Sequence, residues 1–220
     1  MLVIITPNPA LDRTMVFEGL QLGAVHRTAE VLVAAGGKGL NVARVARTLS
    51  IPALVCAPLG GSTGDQVAQL AAAEQIVGQW YRHRSGETRT CVLLVDRRAD
   101  DATALNEAGP TLSAADWAGF AASVQTAADK AQLCVVAGSL PAGVEAAALG
   151  TLLQDLAAAA KPVIVDTSAA ALEAALATRP FGVKVNGSEL SAALGMPVET
   201  VAEARAQSVR CGRAGLRLRP

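Results

Sequence analysis

The feature of this sequence that most constrains its fold is an alternation of two kinds of apolar segment. Short runs rich in Val, Ile and Leu alternate with longer runs rich in Ala and Leu, from Leu2-Val3-Ile4-Ile5 to about residue 194. Strand-like and helix-like patterns in this order are typical of parallel strands joined by crossover helices. We therefore predict an α/β fold with a central, mostly parallel sheet that is covered by helices on both faces.

The same pattern locates the individual elements. Core strands are predicted at Leu2–Thr6, Ala53–Pro58, Leu133–Ala137, Pro162–Asp166 and Gly182–Val185. Helices are predicted at about Leu40–Ser50, Asp65–Gln75, Ala114–Ala128, Val144–Ala160, Ala169–Ala177 and Ser188–Leu194. Ser113 with Asp116 is expected to cap the third helix, and Ser168 is expected to cap the fifth.

Two regions, residues 13–35 and 78–107, break this alternation because they contain β-like pieces without long helices between them. The pieces are Arg13–Phe17, Arg27–Val33, Gln79–His83 and Thr90–Val95. The sequence has no internal repeat and no low-complexity linker. We therefore interpret the two regions as an insertion within one domain that extends to about residue 206.

Composition and charge exclude several classes of partner. The 220 residues are 51% hydrophobic and 17% charged, with a formal net charge of zero. A chain without net positive charge is a poor candidate for binding nucleic acid, or for binding a membrane surface through a polybasic segment. The sequence contains no apolar run of the roughly 18 to 20 residues that would span a bilayer, and its first residues resemble a strand rather than a leader. We expect a cytoplasmic protein.

The cysteines and histidines give no sign of a metal site. The four cysteines, Cys56, Cys91, Cys134 and Cys211, are far apart, and the two histidines stand alone. Metal sites usually have closely spaced Cys or His pairs. We interpret the cysteines as reduced residues, two of them in apolar strands.

A glycine-rich segment, Gly36-Gly37-Lys38-Gly39, opens the first predicted helix. Glycines allow a ligand to approach the main chain, and a helix N-terminus presents N–H groups and a positive dipole end. The segment fits neither the phosphate loop Gly-x-x-x-x-Gly-Lys-Ser/Thr nor the dinucleotide motif Gly-x-Gly-x-x-Gly. It could bind an anion or sugar hydroxyls, or it could be a loop without a ligand.

Seven short motifs occur in a fixed order along the sequence. They are Asn8-Pro9-Ala10-Leu11-Asp12, Gly36-Gly37-Lys38-Gly39 with Asn41, Thr88-Arg89-Thr90, Leu105-Asn106-Glu107-Ala108-Gly109-Pro110, Gly138-Ser139-Leu140-Pro141, Val165-Asp166-Thr167-Ser168 and Asn186-x-x-Glu189. Together they resemble one family, the ribokinase-like (phosphofructokinase B type) carbohydrate kinases, and most of all its 1-phosphofructokinase and tagatose-6-phosphate kinase branch. The resemblance extends to about residue 206.

The resemblance implies a three-layer ribokinase-like fold with a small β-sheet lid formed by about residues 13–35 and 78–107. In this family the lid covers the sugar site and often contacts a second subunit, so a homodimer is possible. It also implies a substrate site that contains Asp12, Gly36, Gly37, Lys38, Asn41, Arg89 and Ser139. A carboxylate at position 12 would accept hydrogen bonds from sugar hydroxyls, and Lys38 and Arg89 would bind the substrate's phosphate. Each of these cations could instead be solvated surface charge.

For the nucleotide side, the resemblance implies that Lys184 and Asn186 approach ATP. Asn186 and Glu189 would organise Mg²⁺ through bound water. Mg²⁺ keeps several waters and needs only one or two carboxylates, so this set is chemically adequate. The alternative is that Glu189 is only an acidic residue in the first turn of a helix. Val185 stands where the family usually has proline, which should loosen the turn.

The family takes its catalytic base and anion hole from a Gly-Ala-Gly-Asp motif downstream of Asn-x-x-Glu. The 220 residues contain no such motif, so no catalytic residue is assigned, and we expect the chain to lack the C-terminal third of the family fold. Residues 207–220, which are rich in arginine, are interpreted as an aberrant tail. The resemblance thus implies ATP-dependent phosphorylation of a phosphorylated ketohexose, foremost fructose 1-phosphate to the 1,6-bisphosphate, by a chain expected to be inactive. The alternatives are tagatose 6-phosphate as substrate and a non-catalytic remnant that binds sugar phosphate.

Overall fold

The centre of the protein is a sheet of six parallel strands. In this computed structural model, which describes residues 1–195, 200 and 203, the strands are β1 (Leu2–Ile5), β4 (Ala53–Leu59), β5 (Gly78–Arg82), β8 (Leu133–Ala137), β9 (Val163–Asp166) and β10 (Gly182–Val183). Their order across the sheet is β10-β9-β8-β1-β4-β5. The predicted parallel sheet is therefore confirmed, and β1 lies inside it, paired with β4 on one side and β8 on the other.

Six helices accompany this sheet in the described part of the chain. They are α1 (Lys38–Thr48), α2 (Gly61–Ala73), α3 (Ala114–Ala128), α4 (Ala146–Ala158), α5 (Ala169–Ala177) and α6 (Gly187–Leu194). The bounds predicted for α3 and α5 are confirmed at both ends. Helix α2 begins four residues before the predicted Asp65, because Gly61 to Gly64 belong to the helix rather than to a preceding turn.

The sheet separates two hydrophobic cores, which gives the predicted three layers. Successive residues of a strand point to opposite faces. Accordingly Val3 and Ile5 of β1 lie in one core, together with apolar residues of α3, α4 and α5. Ile4 lies in the other core, with apolar residues of α1 and α2.

A second, smaller sheet of four strands forms the lid. Its strands are β2 (Ala10–Phe17), β3 (Val31–Gly36), β6 (Arg89–Asp96) and β7 (Asp101–Asn106), in the order β3-β2-β6-β7. Strand β2 is antiparallel to β3 and parallel to β6, and β6 is antiparallel to β7. Because β2 follows β1 after a short connection, the lid begins at the carboxyl end of the central sheet.

Part of the lid prediction is wrong. Residues 78–82 form β5, which pairs in parallel with β4 at the edge of the central sheet, so they do not belong to the lid. The strand predicted at Arg27–Val33 is instead Val31–Gly36, because pairing with β2 places Gly36 opposite Ala10. No strand was predicted at β7, whose residues are all exposed.

The two predicted helix caps have different outcomes. Ser113 caps α3 as predicted, since its hydroxyl accepts a hydrogen bond from the backbone N–H of Asp116 at 3.0 Å. Ser168 occupies the N-cap position of α5, but its side chain makes no capping hydrogen bond. The predicted tail at 207–220 lies outside the described residues.

Candidate active site

The candidate site lies where several parallel strands end on the same side of the sheet. In open α/β sheets, ligands bind outside the carboxyl ends of the strands. Here β1 leads into a buried connection with Asn8, β8 leads to Gly138 and Ser139, and β9 ends at Asp166. The lid and the start of α1 border the same region, because Gly36 ends β3 and Lys38 begins α1.

Asp12 and the two glycines fit closely together. A side chain at Gly36 would overlap with the carboxylate of Asp12. The backbone N–H of Gly37 donates a hydrogen bond to that carboxylate, and Gly37 has a φ of 107°, which strongly favours glycine. Burial raises the pKa of Asp12, while the Gly37 hydrogen bond and the charges of Arg44 and Arg89 oppose this rise. The structure therefore brings Asp12, Gly36 and Gly37 together at the base of the lid.

Lys38 is directed toward the central sheet. Its Nζ lies 3.0 Å from Oδ1 of Asp166, at the end of β9. Nζ of Lys184 lies 3.1 Å from Oδ2 of the same carboxylate. Asp166 thus joins a lysine predicted to bind the sugar phosphate with a lysine predicted to approach the nucleotide.

Arg89 is held by main-chain carbonyl groups. Its guanidinium donates to the oxygens of Asn8, Pro9 and Glu107 at 3.1, 3.4 and 3.3 Å. The carboxylate of Glu107 accepts the backbone N–H of Thr90 at 2.7 Å, which fixes the start of β6 from the other side. The guanidinium is therefore oriented at the junction of the lid and the β1 connection.

Ser139 and Asn41 each have a side-chain partner. The amide nitrogen of the buried Asn8 donates to Oγ of Ser139 at 3.2 Å. The amide oxygen of Asn41 accepts from Nη1 of Arg44 at 2.8 Å. Arg44 also donates to the carboxylate of Glu74, and this hydrogen bond is the main reason that the pKa of Glu74 is lowered. Asn41 is thus tied to an ion pair between α1 and the end of α2.

Asn186 and Glu189 form a capping box at the start of α6. Oδ1 of Asn186 accepts the backbone N–H of Glu189 at 2.8 Å, and Oε2 of Glu189 accepts the backbone N–H of Asn186 at 2.9 Å. This is the structural alternative that the sequence left open for Glu189. A carboxylate and an amide oxygen have further lone pairs, so this arrangement leaves binding of metal-bound water as a prediction.

Glu87 anchors the connection between the central sheet and the lid. Its carboxylate accepts the backbone N–H groups of Ser62 and Thr63 at 3.2 and 2.8 Å, at the N-terminus of α2. The next residue, Thr88, exchanges two hydrogen bonds with Gly60, one through its backbone N–H and one through its hydroxyl. These contacts fix the two residues that precede Arg89.

Comparison with known proteins identifies the family of this arrangement. Residues 6–212 match the model described as pfkB family carbohydrate kinase. The chain belongs to this family. The predicted membership is confirmed, and the matched region includes every predicted site residue.

Solved structures of similar proteins support the assigned fold. The tetrameric inhibited form of phosphofructokinase-2 from Escherichia coli has 25% identity and a TM-score of 0.90, over 97% of this chain and 70% of that chain. The same enzyme in complex with fructose-6-phosphate has 25% identity and a TM-score of 0.88, over 97% and 70%. A possible 1-phosphofructokinase from Thermotoga maritima has 24% identity and a TM-score of 0.87, over 96% and 68%, which supports the fold alone.

The residues predicted to approach the nucleotide in this pfkB family chain include groups that fit Mg²⁺ chemically. Lys184 and Asn186 are exposed, Lys184 contacts Asp166, and Glu189 offers a carboxylate in the first turn of α6. No cluster of three or more His, Cys, Asp or Glu side chains that could hold a metal occurs in the described part of the chain. This donor set fits Mg²⁺ that is bound through water and by ATP, and it does not form an all-protein cage.

Two buried hydroxyl groups follow strands at the same edge of the sheet. Oγ1 of Thr6, after β1, and Oγ1 of Thr167, after β9, have no hydrogen-bond partner within the described residues. Both side chains are almost completely buried, which makes an unpaired hydroxyl costly. Polar groups in need of partners therefore occur on both sides of β8 at the candidate site.

Three residues of this site have contacts that the sequence did not predict. Asp166 appeared only as family wording, although it pairs with two lysines, and Asn8 appeared only within a motif, although it contacts Ser139. Glu87 was not named at all. Glu87 directly precedes the Thr88-Arg89-Thr90 motif, which was the only signal near it. Its partner Thr63 in α2 is 24 positions away in the sequence, so no local pattern indicates the contact.

Among the described residues, no helix is both long enough and apolar enough to cross a bilayer.

Proposed function

We propose that this protein binds a phosphorylated ketohexose, foremost fructose 1-phosphate, at a site for its ATP-dependent phosphorylation to fructose 1,6-bisphosphate. The observation that carries the proposal is the grouping of Asp12, Gly36 and Gly37 with Arg89 at the base of the lid. A carboxylate, main-chain groups and a guanidinium together match the hydroxyls and the phosphate of such a sugar.

The sugar side of the proposal assigns a role to each group. The carboxylate of Asp12 accepts hydrogen bonds from sugar hydroxyls, and its burial at the base of the lid strengthens those bonds. Arg89 binds the phosphate with a planar donor pair, which suits that group better than a single ammonium does. Asn41 and Ser139 provide further polar contacts from α1 and from the end of β8.

Lys38 is proposed to bind the same phosphate once a ligand is present. In the structure it pairs with Asp166, and 48% of its side chain is exposed. An exposed ion pair of this kind contributes only about 0.2–1 kcal/mol, so a phosphate can replace the carboxylate as a partner. The pairing holds the lysine near the cleft in the absence of ligand.

The nucleotide side is proposed to bind ATP through Lys184 and Asn186, with Glu189 and Asn186 holding Mg²⁺ through water. When bound, MgATP supplies the transferred phosphoryl group and neutralises charge on it. The capping box holds the side chains of Asn186 and Glu189 in a fixed position relative to each other, so both are oriented before a ligand binds.

We further propose that the 220 residues bind these ligands without turnover. The sequence contains no Gly-Ala-Gly-Asp motif. Of the carboxylates at the described cleft, Asp166 is held by two ammonium groups, and Asp12 faces the glycine turn. Phosphoryl transfer requires a base beside the acceptor hydroxyl and a group of anion-stabilising donors, and the proposal assigns neither carboxylate to that role.

Two measurements on the purified chain test the proposal. Calorimetric titration with fructose 1-phosphate, tagatose 6-phosphate and fructose 6-phosphate should give the tightest binding for fructose 1-phosphate. Tighter binding of tagatose 6-phosphate than of fructose 1-phosphate would make tagatose 6-phosphate the proposed substrate. A coupled assay of ADP formation should then detect no sugar-dependent turnover. Rates of about 1–100 per second would contradict the proposed inactivity.

A result without binding to any of the three sugars would overturn the proposed function. Binding without turnover is shared by a kinase site and by a non-catalytic sugar-phosphate-binding remnant, the alternative class. Titration with MgATP distinguishes these two alternatives. A kinase site should bind MgATP, whereas a remnant that no longer binds nucleotide should not. Replacement of Lys184 by Ala should weaken MgATP binding, and replacement of the remote Lys130 should not.

The lid is proposed to associate with the lid of a second copy in a cytoplasmic homodimer. Both edges of the four-stranded sheet are unpaired within the described chain, and exposed apolar residues occur on it, including Leu32, which is 66% exposed. Analytical ultracentrifugation should detect a dimer that Leu32→Glu weakens. Leu22→Glu, in a loop outside the sheet, is the matched control. An unchanged monomer–dimer equilibrium in Leu32→Glu would contradict this proposal.

A further inference from the structure

Cys91 lies on the lid strand that begins with Arg89. Pairing between strands places Asp12 opposite Cys91 in β6, and Cys91 opposite Asn106 in β7. On the other side of β2, Asp12 is opposite Ala34. Residues opposite one another in a sheet share a face, so these four residues form one row across the lid.

The same face includes Arg89. Residues two positions apart on a strand point to the same side and are about 6.6 Å apart, whereas neighbouring strands are about 4.8 Å apart. Cys91 therefore lies on the strand next to that of Asp12, and it is two residues along its own strand from Arg89. Ala10 lies opposite Arg89, so a hexose ring that bridges Asp12 and Arg89 lies along the diagonal between Cys91 and Ala10 and next to Cys91.

Electrostatic interactions agree with this placement. Burial raises the pKa of the half-buried Cys91 thiol, the charge of Arg89 opposes the rise, and the charges of Asp12 and Glu107 add to it. The groups that act on the thiol are thus those at the proposed sugar site.

We propose that Cys91 forms part of the sugar-binding face of the lid and contacts the ring of the bound sugar phosphate. This inference rests on the proposed function and adds a specificity-determining residue to it. A thiol is a small, weakly polar group, so it packs against a ring carbon and adds no strong hydrogen bond of its own. The size of the residue at position 91 then sets the space for the hydroxyl groups that differ between ketohexose epimers.

Protection from a thiol reagent tests the contact directly. The experiment uses the whole chain with Cys211→Ser, which removes the cysteine outside the described residues. Cys56 and Cys134 are fully buried on central strands and should react slowly. The rate of Cys91 labelling by a small neutral methanethiosulfonate is measured at mildly alkaline pH, where the thiolate forms. Fructose 1-phosphate at ten times its dissociation constant should slow labelling about elevenfold.

A thiol on the opposite face provides the matched control. Leu105 of β7 is 53% exposed and lies opposite Val92, so it faces away from the row of Cys91. In a Cys91→Ser, Leu105→Cys chain, the same sugar phosphate should leave the labelling rate unchanged. Equal protection at both positions would indicate a global effect on the lid and would overturn the contact.

The outcomes distinguish this inference from the proposed function. Calorimetric binding of fructose 1-phosphate without protection of Cys91 would overturn the inference and leave the function intact. An absence of binding would overturn both. As a second measurement, Cys91→Leu should weaken fructose 1-phosphate binding at least tenfold, while Cys91→Ser should change it less than threefold. Equal affinity of the two variants would show that position 91 does not contact the sugar.

Discussion

Nζ of Lys38 lies 3.0 Å from Oδ1 of Asp166, which links the first residue of α1 to the end of β9. The two residues are 128 positions apart in the sequence. Strand β9 and the strand that leads to α1 belong to different sheets, so the pair connects the lid side of the cleft with the central sheet. Lys184 contacts the other oxygen of the same carboxylate.

This arrangement predicts that Asp166→Asn removes two ion pairs at once. The lysine side chains are 48% and 67% exposed, so the loss in unfolding free energy should total only about 1 kcal/mol. Urea unfolding measures it. The control is Asp65→Asn, which removes one exposed pair with Arg82 and should cost less. An Asp166→Asn chain as stable as the unsubstituted chain would show that the Asp166 pairs do not stabilise the fold.

Arg89 is predicted to provide the main phosphate contact. Removal of a charge-assisted hydrogen-bonding group typically costs about 1.5 to 3 kcal/mol, so Arg89→Ala should weaken fructose 1-phosphate binding roughly ten- to hundredfold. Arg89→Lys should recover part of the affinity, because it restores charge without the planar donor pair. Calorimetry gives both values, and Arg98→Ala at the far end of the lid serves as the control. Unchanged affinity in Arg89→Ala would make this residue purely structural.

Asp12→Asn is predicted to weaken sugar binding and to stabilise the fold at pH 7. Burial raises the folded-state pKa of Asp12, so the folded chain retains this proton to higher pH than the unfolded chain does. Stability from this group is therefore present below the ordinary carboxyl pKa and is lost as pH rises through the raised value. Thermal unfolding at pH 4 and pH 7 should show a gain for Asp12→Asn only at pH 7. A gain of the same size at both pH values would contradict the assignment.

Glu87→Gln should have the opposite pH dependence. Hydrogen bonds from the Thr63 N–H, and to a lesser extent from Ser62, lower the pKa of Glu87. Its contribution is therefore present above the ordinary glutamate pKa and is lost as pH falls through the lowered value. Glu87→Gln should reduce the melting temperature at pH 7 but have little effect at pH 3. Glu173→Gln on α5 is the control, and an equal decrease there would argue against a specific role for Glu87.

The parts of the fold that the sequence predicted well are those set by local patterns. Helices α3 and α5 follow from continuous Ala-rich segments with a Ser at the N-cap, and β8 follows from a buried apolar run. Strand β5 was assigned to the wrong sheet because its pairing with β4 depends on tertiary structure, which its own residues do not encode. Strand β7 was missed because its exposed residues lack an apolar face and are ordered by pairing with β6.

The contacts of the candidate site also differ in how far the sequence predicts them. Asp12, Gly36 and Gly37 were predicted from motif wording, and the structure places them in contact, since only glycine leaves room for the carboxylate. The Lys38–Asp166 pair and the clamp of Glu87 on α2 join distant segments, and no local periodicity indicates them. Roles of individual residues toward sugar, ATP and Mg²⁺ stay predictions.

The most direct test of the account is a calorimetric titration of the 220-residue chain with fructose 1-phosphate, alongside fructose and inorganic phosphate. Because Asp12 is proposed to bind the hydroxyls and Arg89 and Lys38 the phosphate, fructose 1-phosphate should bind at least tenfold more tightly than either fructose or inorganic phosphate. Arg89→Ala should weaken fructose 1-phosphate binding roughly ten- to hundredfold and leave fructose binding unchanged. Affinity for fructose 1-phosphate no greater than that for inorganic phosphate would contradict the account, because it would show that the site does not recognise the sugar.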